Sequence, residues 1–353
     1  LDGVVAPVRI AGREVGPDAP CFVIAEVGVN HDGDVGRAEA LVDAAAEAGA
    51  DAVKFQTFRA ETLATADAPK AAYQRASDDG NESQYAMLRR LELDEAGHRR
   101  LLARAVERGL IFLSAPFDRA SADLLERLDV AAFKVPSGEL TNLRLLSHVA
   151  AKGRPMIVST GMATMAEVTV AMTAIDGAGA PLVVLLHCVS AYPAEPADCN
   201  LAAMASLSQR FGVPIGWSDH TLGLEVALAA VALGAAAVEK HLTLDRRASG
   251  PDHAASMEPQ EFAALVRGIR AVESAQGDGV KKPTDSEREI AAVARRSLVT
   301  VRAVAGGEAL TADAVVARRP GTGIPPAELD RYLGRRLKAA VAAATVLHPE
   351  MFE

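Results

Sequence analysis

From Cys21 onward, a short apolar run, a junction marked by Gly or Pro, and an amphipathic helical stretch recur in the same order. That recurrence is the pattern of strands alternating with helices in α/β proteins. The apolar runs are CFVIAEV (21–27), DAVKFQT (51–57), LIFLSAP (110–116), VAAFKVP (130–136), PMIVST (155–160), PLVVLLHC (181–188), PIGWSDH (214–220) and AAVEKHLTL (236–244). Between them, Ala38, Leu41, Val42 and Ala45 keep helical spacing up to Gly49, and Thr164 with Glu167 forms a capping box. Eight such units within residues 21–276 come close to the roughly 250 residues of a (β/α)8 TIM barrel, and predict that closed α/β fold. An open dinucleotide-binding sheet is disfavoured because no G-x-G-x-x-G follows the first run.

The flanks read differently. VRIAGREV (8–15) turns about Ala11 and Gly12 and predicts a hairpin closing the barrel bottom, within an N-terminal extension over 1–20. After the barrel, 277–284 reads as a linker. Residues 285–353 are dense in short β-prone runs, Gly and Pro, and predict a second, small domain of short strands.

Composition narrows the function. With 37 Lys and Arg against 46 Asp and Glu, the formal charge of -9 gives no electrostatic reason to expect nucleic acid or an anionic membrane as partner. Three widely spaced cysteines predict a reducing, cytoplasmic setting without a disulfide framework. The longest aliphatic run, Val226 to Val238, is too short for a membrane span and reads as a core helix running into a core strand. The opening residues LDGVVAPVRIAG lack a basic segment followed by an apolar one, so no signal peptide is expected.

Barrel enzymes work at the C-terminal ends of their strands, where variable loops ride on a packed scaffold. Here polar residues follow nearly every run: Glu26, Asn30 and His31; Lys54 and Gln56; Ser114; Lys134, Ser137 and Glu139; Ser159; His187, Ser190 and Tyr192; Ser218, Asp219 and His220; Glu239, Lys240 and His241. The set is expected to converge on one mouth. Lys54 and Lys134 interrupt apolar runs, and a buried ammonium needs an anionic partner. For one lysine, a neighbouring carboxylate serves as well as a ligand. Two lysines on different strands, with the hydroxyls of Ser137, Ser159 and Ser218, favour a bound phosphate or carboxylate. The STGM run (159–162) ahead of the capped helix offers backbone N–H groups to the same anion.

His220 and His241 end the seventh and eighth runs, which are neighbours in a closed barrel. They fit either hydrogen-bonded core histidines or two ligands of one divalent ion completed by water or substrate oxygens, for which Mn²⁺ or Mg²⁺ suits better than structural Zn²⁺. Glu26 and Glu139 are candidates for general acid or base work, and equally for ion pairs with the lysines. Glu239, opposite in parity to Lys240, is expected to face the helices. Asp219 orients a histidine or fixes its loop, and the pattern does not choose between them.

Taken together, AEVGVNHDGD, GADAVKFQTF, APKAAYQ, FKVPSGELTN, STGMAT, HCVSAYP, SDHTLG and EKHLTLDRRASGPDHAASMEP resemble the sialic acid synthase family, and RRSLVTV with ARRPGTGIPP resembles its C-terminal antifreeze-like (SAF) domain. The likeness runs in order over essentially the whole chain. It implies a TIM barrel followed by a small, mostly-β SAF domain. The activity it implies is condensation of phosphoenolpyruvate with an N-acylated mannose-type, or 6-deoxy diacetamido, aldose to a nine-carbon 2-keto sugar acid and phosphate. By matched position, Lys54, Lys134, Ser137, Ser159, Ser190 and Ser218 would hold phosphoenolpyruvate. His220 and His241 would hold a divalent metal, Mn²⁺ ahead of Mg²⁺, and Glu26 and Glu139 would serve catalysis. Gln56, Tyr192 and Asp252 would meet the sugar hydroxyls, and Arg319 would reach the N-acyl group from the partner of a domain-swapped homodimer.

Ser190 and Ala115 depart from the N-acetylneuraminate branch, which usually has Asn and Thr there, and resemble the legionaminic, pseudaminic or spore-coat branch. Three other readings compete with the synthase: a Schiff-base aldolase with Lys134 as nucleophile, a shorter phosphoenolpyruvate condensation to an eight- or seven-carbon sugar acid, and a sugar-binding protein without activity.

Overall fold

The computed structural model describes residues 5–71 and 82–353, so positions 72–74 of the APKAAYQ run lie outside the described residues. The chain divides into two compact units, Leu1–Gly277 and Asp278–Glu353.

The first unit opens with β1 (Val8–Ile10) and β2 (Arg13–Val15), an antiparallel pair with Val8 opposite Val15. The turn residues Ala11 and Gly12 both have positive φ, 48° and 82°, which the right-handed twist of a tight hairpin requires. Eight parallel strands follow: β3 (Phe22–Gly28), β4 (Ala52–Thr57), β5 (Ile111–Pro116), β6 (Phe133–Val135), β7 (Met156–Ser159), β8 (Val183–Cys188), β9 (Ile215–Asp219) and β10 (Ala237–His241). Their hydrogen-bonded order is β5-β4-β3-β10-β9-β8-β7-β6. The first strand thus pairs with the last, and the sheet curls into a nearly closed TIM-like barrel whose seam lies between β5 and β6. Each predicted apolar run coincides with one of these strands, with β3 running one residue past its run to Gly28.

Helices alternate with the strands. Val35–Glu47 is capped by Asp34, and Met165–Ala178 carries the predicted capping box of Thr164 and Glu167. The long aliphatic run is helix Glu225–Ala232 leading into β10. The β4-to-β5 connection holds extra helices, Ala60–Leu63 and Gln84–Leu91, ahead of Glu95–Glu107. Residues of one parity along the strands, such as Phe55, Trp217 and Val238, pack outward against the helices. Those of the other parity, Phe22, Ile24, Leu113, Ile157, Leu186 and Ala237, fill the barrel bottom together with Val8, Ile10 and Val15 of the hairpin. The hairpin therefore plugs the N-terminal end of the barrel with apolar side chains.

The second unit begins with helix Asp285–Ala294, capped by Thr284, and pairs β11 (Ser297–Thr300) with β12 (Val315–Arg318) antiparallel. Isolated bridges such as Val304 with Val341 and Leu337 with Phe352 extend the β character. Leu298, Leu310, Ile324, Leu337, Leu347 and Phe352 are in its core. Among the described residues, no helix is long and apolar enough to cross a membrane.

Candidate active site

A cavity of about 550 Å³ opens at the C-terminal end of the barrel. Its wall includes Glu26, Lys54, Gln56, Lys134, Ser137, Ser159, Ser190, Tyr192, Ser218, His220, His241 and Asp252, so most residues singled out from sequence do converge. Glu239 joins them, which corrects its expected position. It faces inward, with Oε1 accepting from Ser218 Oγ at 3.0 Å and lying 3.5 Å from Lys134 Nζ, while Oε2 lies 3.6 Å from Lys54 Nζ. Strand parity explains this: Glu239 is two residues before His241, and Ser218 is two before His220, so all four share the inner face.

The floor is a dense charge cluster. Lys54 Nζ also lies 2.8 Å from Glu26 Oε2, and Lys134 Nζ donates to Ser159 Oγ at 2.8 Å. Burial alone would raise the Glu239 carboxyl, but Lys134 and Lys54 override it and hold Glu239 ionised. Glu26 is different. Burial pushes it up to about 7, because the charge of Lys54 only partly offsets desolvation and Glu239 opposes its ionisation. Lys54 is buried too, yet its two carboxylates raise it; Lys134, with burial dominant and only Glu239 close, is lowered. One firm carboxylate between two ammonium groups leaves spare cationic capacity for an anionic ligand.

Beside this floor, Ser137 Oγ lies 3.1 Å from Cys188 Sγ and accepts from the Gly161 N–H at 2.9 Å. A Cβ on Gly161 would come within 2.3 Å of Ser190 Oγ, 2.7 Å of Cys188 Sγ and 2.8 Å of Ser137 Oγ. These heteroatoms form a crater that exists only because residue 161 has no side chain. Neither Cys188 nor Gly161 was singled out from sequence, where nothing marks their convergence. Of the N–H groups expected to be free in STGM, two are engaged: Thr160 N–H donates to Leu186 O and Gly161 N–H to Ser137 Oγ.

Nearer the mouth, the His220 and His241 rings lie side by side, tilted 51° with centroids 5.5 Å apart, and the Tyr192 ring centroid lies 4.2 Å from that of His220. His220 Nδ1–H donates to Val189 O at 2.7 Å, which leaves its Nε2 with a lone pair. His241 Nδ1 is buried without a hydrogen bond and lies 4.0 Å from Asp252 Oδ2. Burial lowers both imidazoles and keeps them neutral, and burial raises Asp252 to about 6. Two neutral imidazoles, one with an orphaned ring nitrogen, suit a divalent ion. Among the described residues, no group of three His, Cys, Asp or Glu side chains is arranged to hold one. Leu63, Met87, Leu88, Leu91 and Phe117 add an apolar wall.

Several expected residues lie elsewhere. Glu139 does not line the cavity: it ends a short 3-10 turn, and its Oε2 accepts from Asn142 Nδ2 at 2.8 Å. Ser114 points away to share a buried network with Thr57 and His98, and His187 turns to Cys199 O. Asn30 donates to Leu242 O and Ser256 Oγ, and His31 packs beside Phe55. Asp219 and Lys240 face outward and pair with each other. Ala115 is buried in β5, outside the cavity lining. Arg319 belongs to the second unit, where its Nε donates to Ala294 O.

A plugged barrel with acid–base groups and cations gathered at its open end defines a (β/α)8-barrel enzyme. Residues 41–281 match the NeuB family and residues 295–353 the SAF domain, and the chain belongs to the NeuB family. It is 45% identical to the N,N'-diacetyllegionaminic acid synthase of Legionella pneumophila over 96% of both chains. The N,N'-diacetyllegionaminic acid synthase of Campylobacter jejuni is 44% identical over 89% of this chain and 95% of its own. The crystal structure of N-acetylneuraminic acid (sialic acid) synthetase from Leptospira borgpetersenii, in complex with citrate, matches with a TM-score of 0.72 and 32% identity over 82% of this chain and 96% of that one.

Proposed function

We propose that this protein condenses phosphoenolpyruvate with an N-acylated, 6-deoxy-type aldose to give a nine-carbon 2-keto sugar acid and phosphate. The observation that carries this reading is the floor of the cavity, where the buried ammonium groups of Lys54 and Lys134 face the ionised Glu239 and a Glu26 that is only partly ionised, beside the hydroxyls of Ser137, Ser159, Ser190 and Ser218. A ligand bearing both a carboxylate and a phosphate fits that floor. The relatives named as N,N'-diacetyllegionaminic acid synthases favour the 6-deoxy diacetamido acceptor, and the apolar wall of Met87, Leu91 and Phe117 suits its methyl and acyl groups.

In this reading the acceptor lies above phosphoenolpyruvate, between Gln56, Tyr192 and Asp252. C3 of phosphoenolpyruvate attacks the aldehyde carbon, whose oxygen takes up a proton; water then adds to the cationic C2 and loses a proton, and the C2–O bond to phosphate breaks. Glu26, poised near neutrality, takes the proton from that water. Glu239 stays ionised and balances the cation that develops at C2. Glu139, which lies off the cavity lining, takes no part in these steps. His220 and His241 would hold a divalent ion, Mn²⁺ ahead of Mg²⁺, and when bound it would polarise the aldehyde. A cytoplasmic homodimer, with Arg319 supplied to the partner's barrel, completes the reading.

Phosphate release from phosphoenolpyruvate, measured across a panel of N-acylated and deoxy aldoses with and without EDTA, tests it. The expected result is acceptor-dependent release that EDTA stops and Mn²⁺ restores. No release with any such sugar would overturn the synthase reading, and EDTA-insensitive release would overturn the metal.

A further inference from the structure

Asp219 and Lys240 sit directly opposite each other on β9 and β10, each placed between two residues of the cavity. Ser218 and Glu239 precede them and His220 and His241 follow, so an outward pair alternates with two inward pairs. Lys240 Nζ donates to Asp219 Oδ2 at 2.6 Å, with the two side chains 1% and 0% exposed. The remaining bonds all go to Thr221. Lys240 Nζ donates to its carbonyl at 2.7 Å, and Asp219 Oδ1 accepts from its N–H at 3.0 Å and its hydroxyl at 2.8 Å. His220 is thereby fixed from both sides, and its strand is tied to the one that ends in His241.

Stability does not require an ion pair here. The neighbouring outward positions, Trp217 and Val238, are apolar and packed against the helices. Replacing a buried pair with apolar side chains of similar volume is often neutral or stabilising, because desolvation offsets the attraction. What an apolar pair cannot supply is direction: it would bind neither the Thr221 carbonyl nor its N–H.

We propose that Asp219 and Lys240 are positioning residues, a clip that holds His220 and His241 side by side so that both can reach one ion. The inference rests on the reading of those histidines as a metal site. Its test is Mn²⁺ titration of the full-length, metal-stripped protein followed by the EPR signal of free Mn²⁺, without substrate, alongside thermal unfolding. Two neutral double variants avoid leaving a lone buried charge: Asp219→Leu with Lys240→Met, which removes every clip bond, and Asp219→Asn with Lys240→Met, which keeps an acceptor for Thr221. The first is expected to stay folded and to bind Mn²⁺ about 10–100-fold more weakly, as loss of groups behind metal ligands does. The second should recover part of that loss.

Wild-type affinity in a folded Asp219→Leu/Lys240→Met protein would overturn the clip. Failure of both doubles to fold would also overturn it, by making the pair a requirement of the fold. If the unaltered protein binds no Mn²⁺, the metal reading itself falls and this inference with it.

Discussion

Glu26 Oε2 lies 2.8 Å from Lys54 Nζ, and neither side chain is more than 5% exposed. Burial nevertheless lifts the carboxyl to about 7, so the proton on Glu26 is exchangeable at physiological pH. A base must be ionised to act, so kcat/KM should fall as pH drops below about 7. In Glu26→Gln that acid limb should disappear, with kcat reduced about 10²–10⁴-fold. A pH–rate profile of both proteins checks this, and a limb falling on the alkaline side would make Glu26 the proton donor instead.

Gly161→Ala should fill the crater formed by Ser137, Cys188 and Ser190. Displacing those groups is expected to cost about 1–3 kcal/mol of anion binding, on the order of 10–100-fold in KM for phosphoenolpyruvate. KM for the sugar should change far less. Equal effects on both would place the crater outside the anion site.

Lys134→Met should leave Glu239 facing Lys54 alone and lower kcat/KM about 10²–10⁴-fold. Borohydride added to the unaltered protein during turnover should trap no adduct on Lys134. A covalent adduct seen by mass spectrometry would restore the Schiff-base aldolase.

His31 is buried and its imidazole is lowered to about 4. The unfolded chain titrates near 6.5, so between these values the unfolded state holds the extra proton. The contribution of His31 to stability is therefore complete above about 6.5 and is lost as pH falls toward 4. Between about pH 7.5 and 5 the protein should lose on the order of 2 kcal/mol through this residue, and His31→Asn should lose less over the same span. Urea unfolding at the two pH values measures the difference.

The barrel was legible because its strands are buried on both faces and punctuated by Gly, Pro and helix caps, so the eight runs stand out even where β6 is only Phe133–Val135. Direction was harder to read. Alternation gives relative parity, and choosing the inner face for Glu239 required tying it to His241 two residues on. Lys240 and Glu239 are both buried and both paired, one with Asp219 outside the barrel and the other with Lys54 and Lys134 inside. Hydropathy cannot separate two satisfied ion pairs on opposite sides of one strand. Asn30, His31, Ser114 and His187 looked like mouth residues for the same reason: polar character marks a strand end but not whether the group meets a ligand or a neighbouring loop. The Gly161 crater depends on three loops meeting in space, which no local pattern records.

The apolar plug formed by Val8, Ile10 and Val15 makes the barrel a vessel with one opening. Lys54 lies two residues deeper along β4 than Gln56, so whatever the lysines hold must arrive before anything seated on Gln56 covers it. In the proposed condensation, the anionic substrate would therefore have to load before the acceptor sugar.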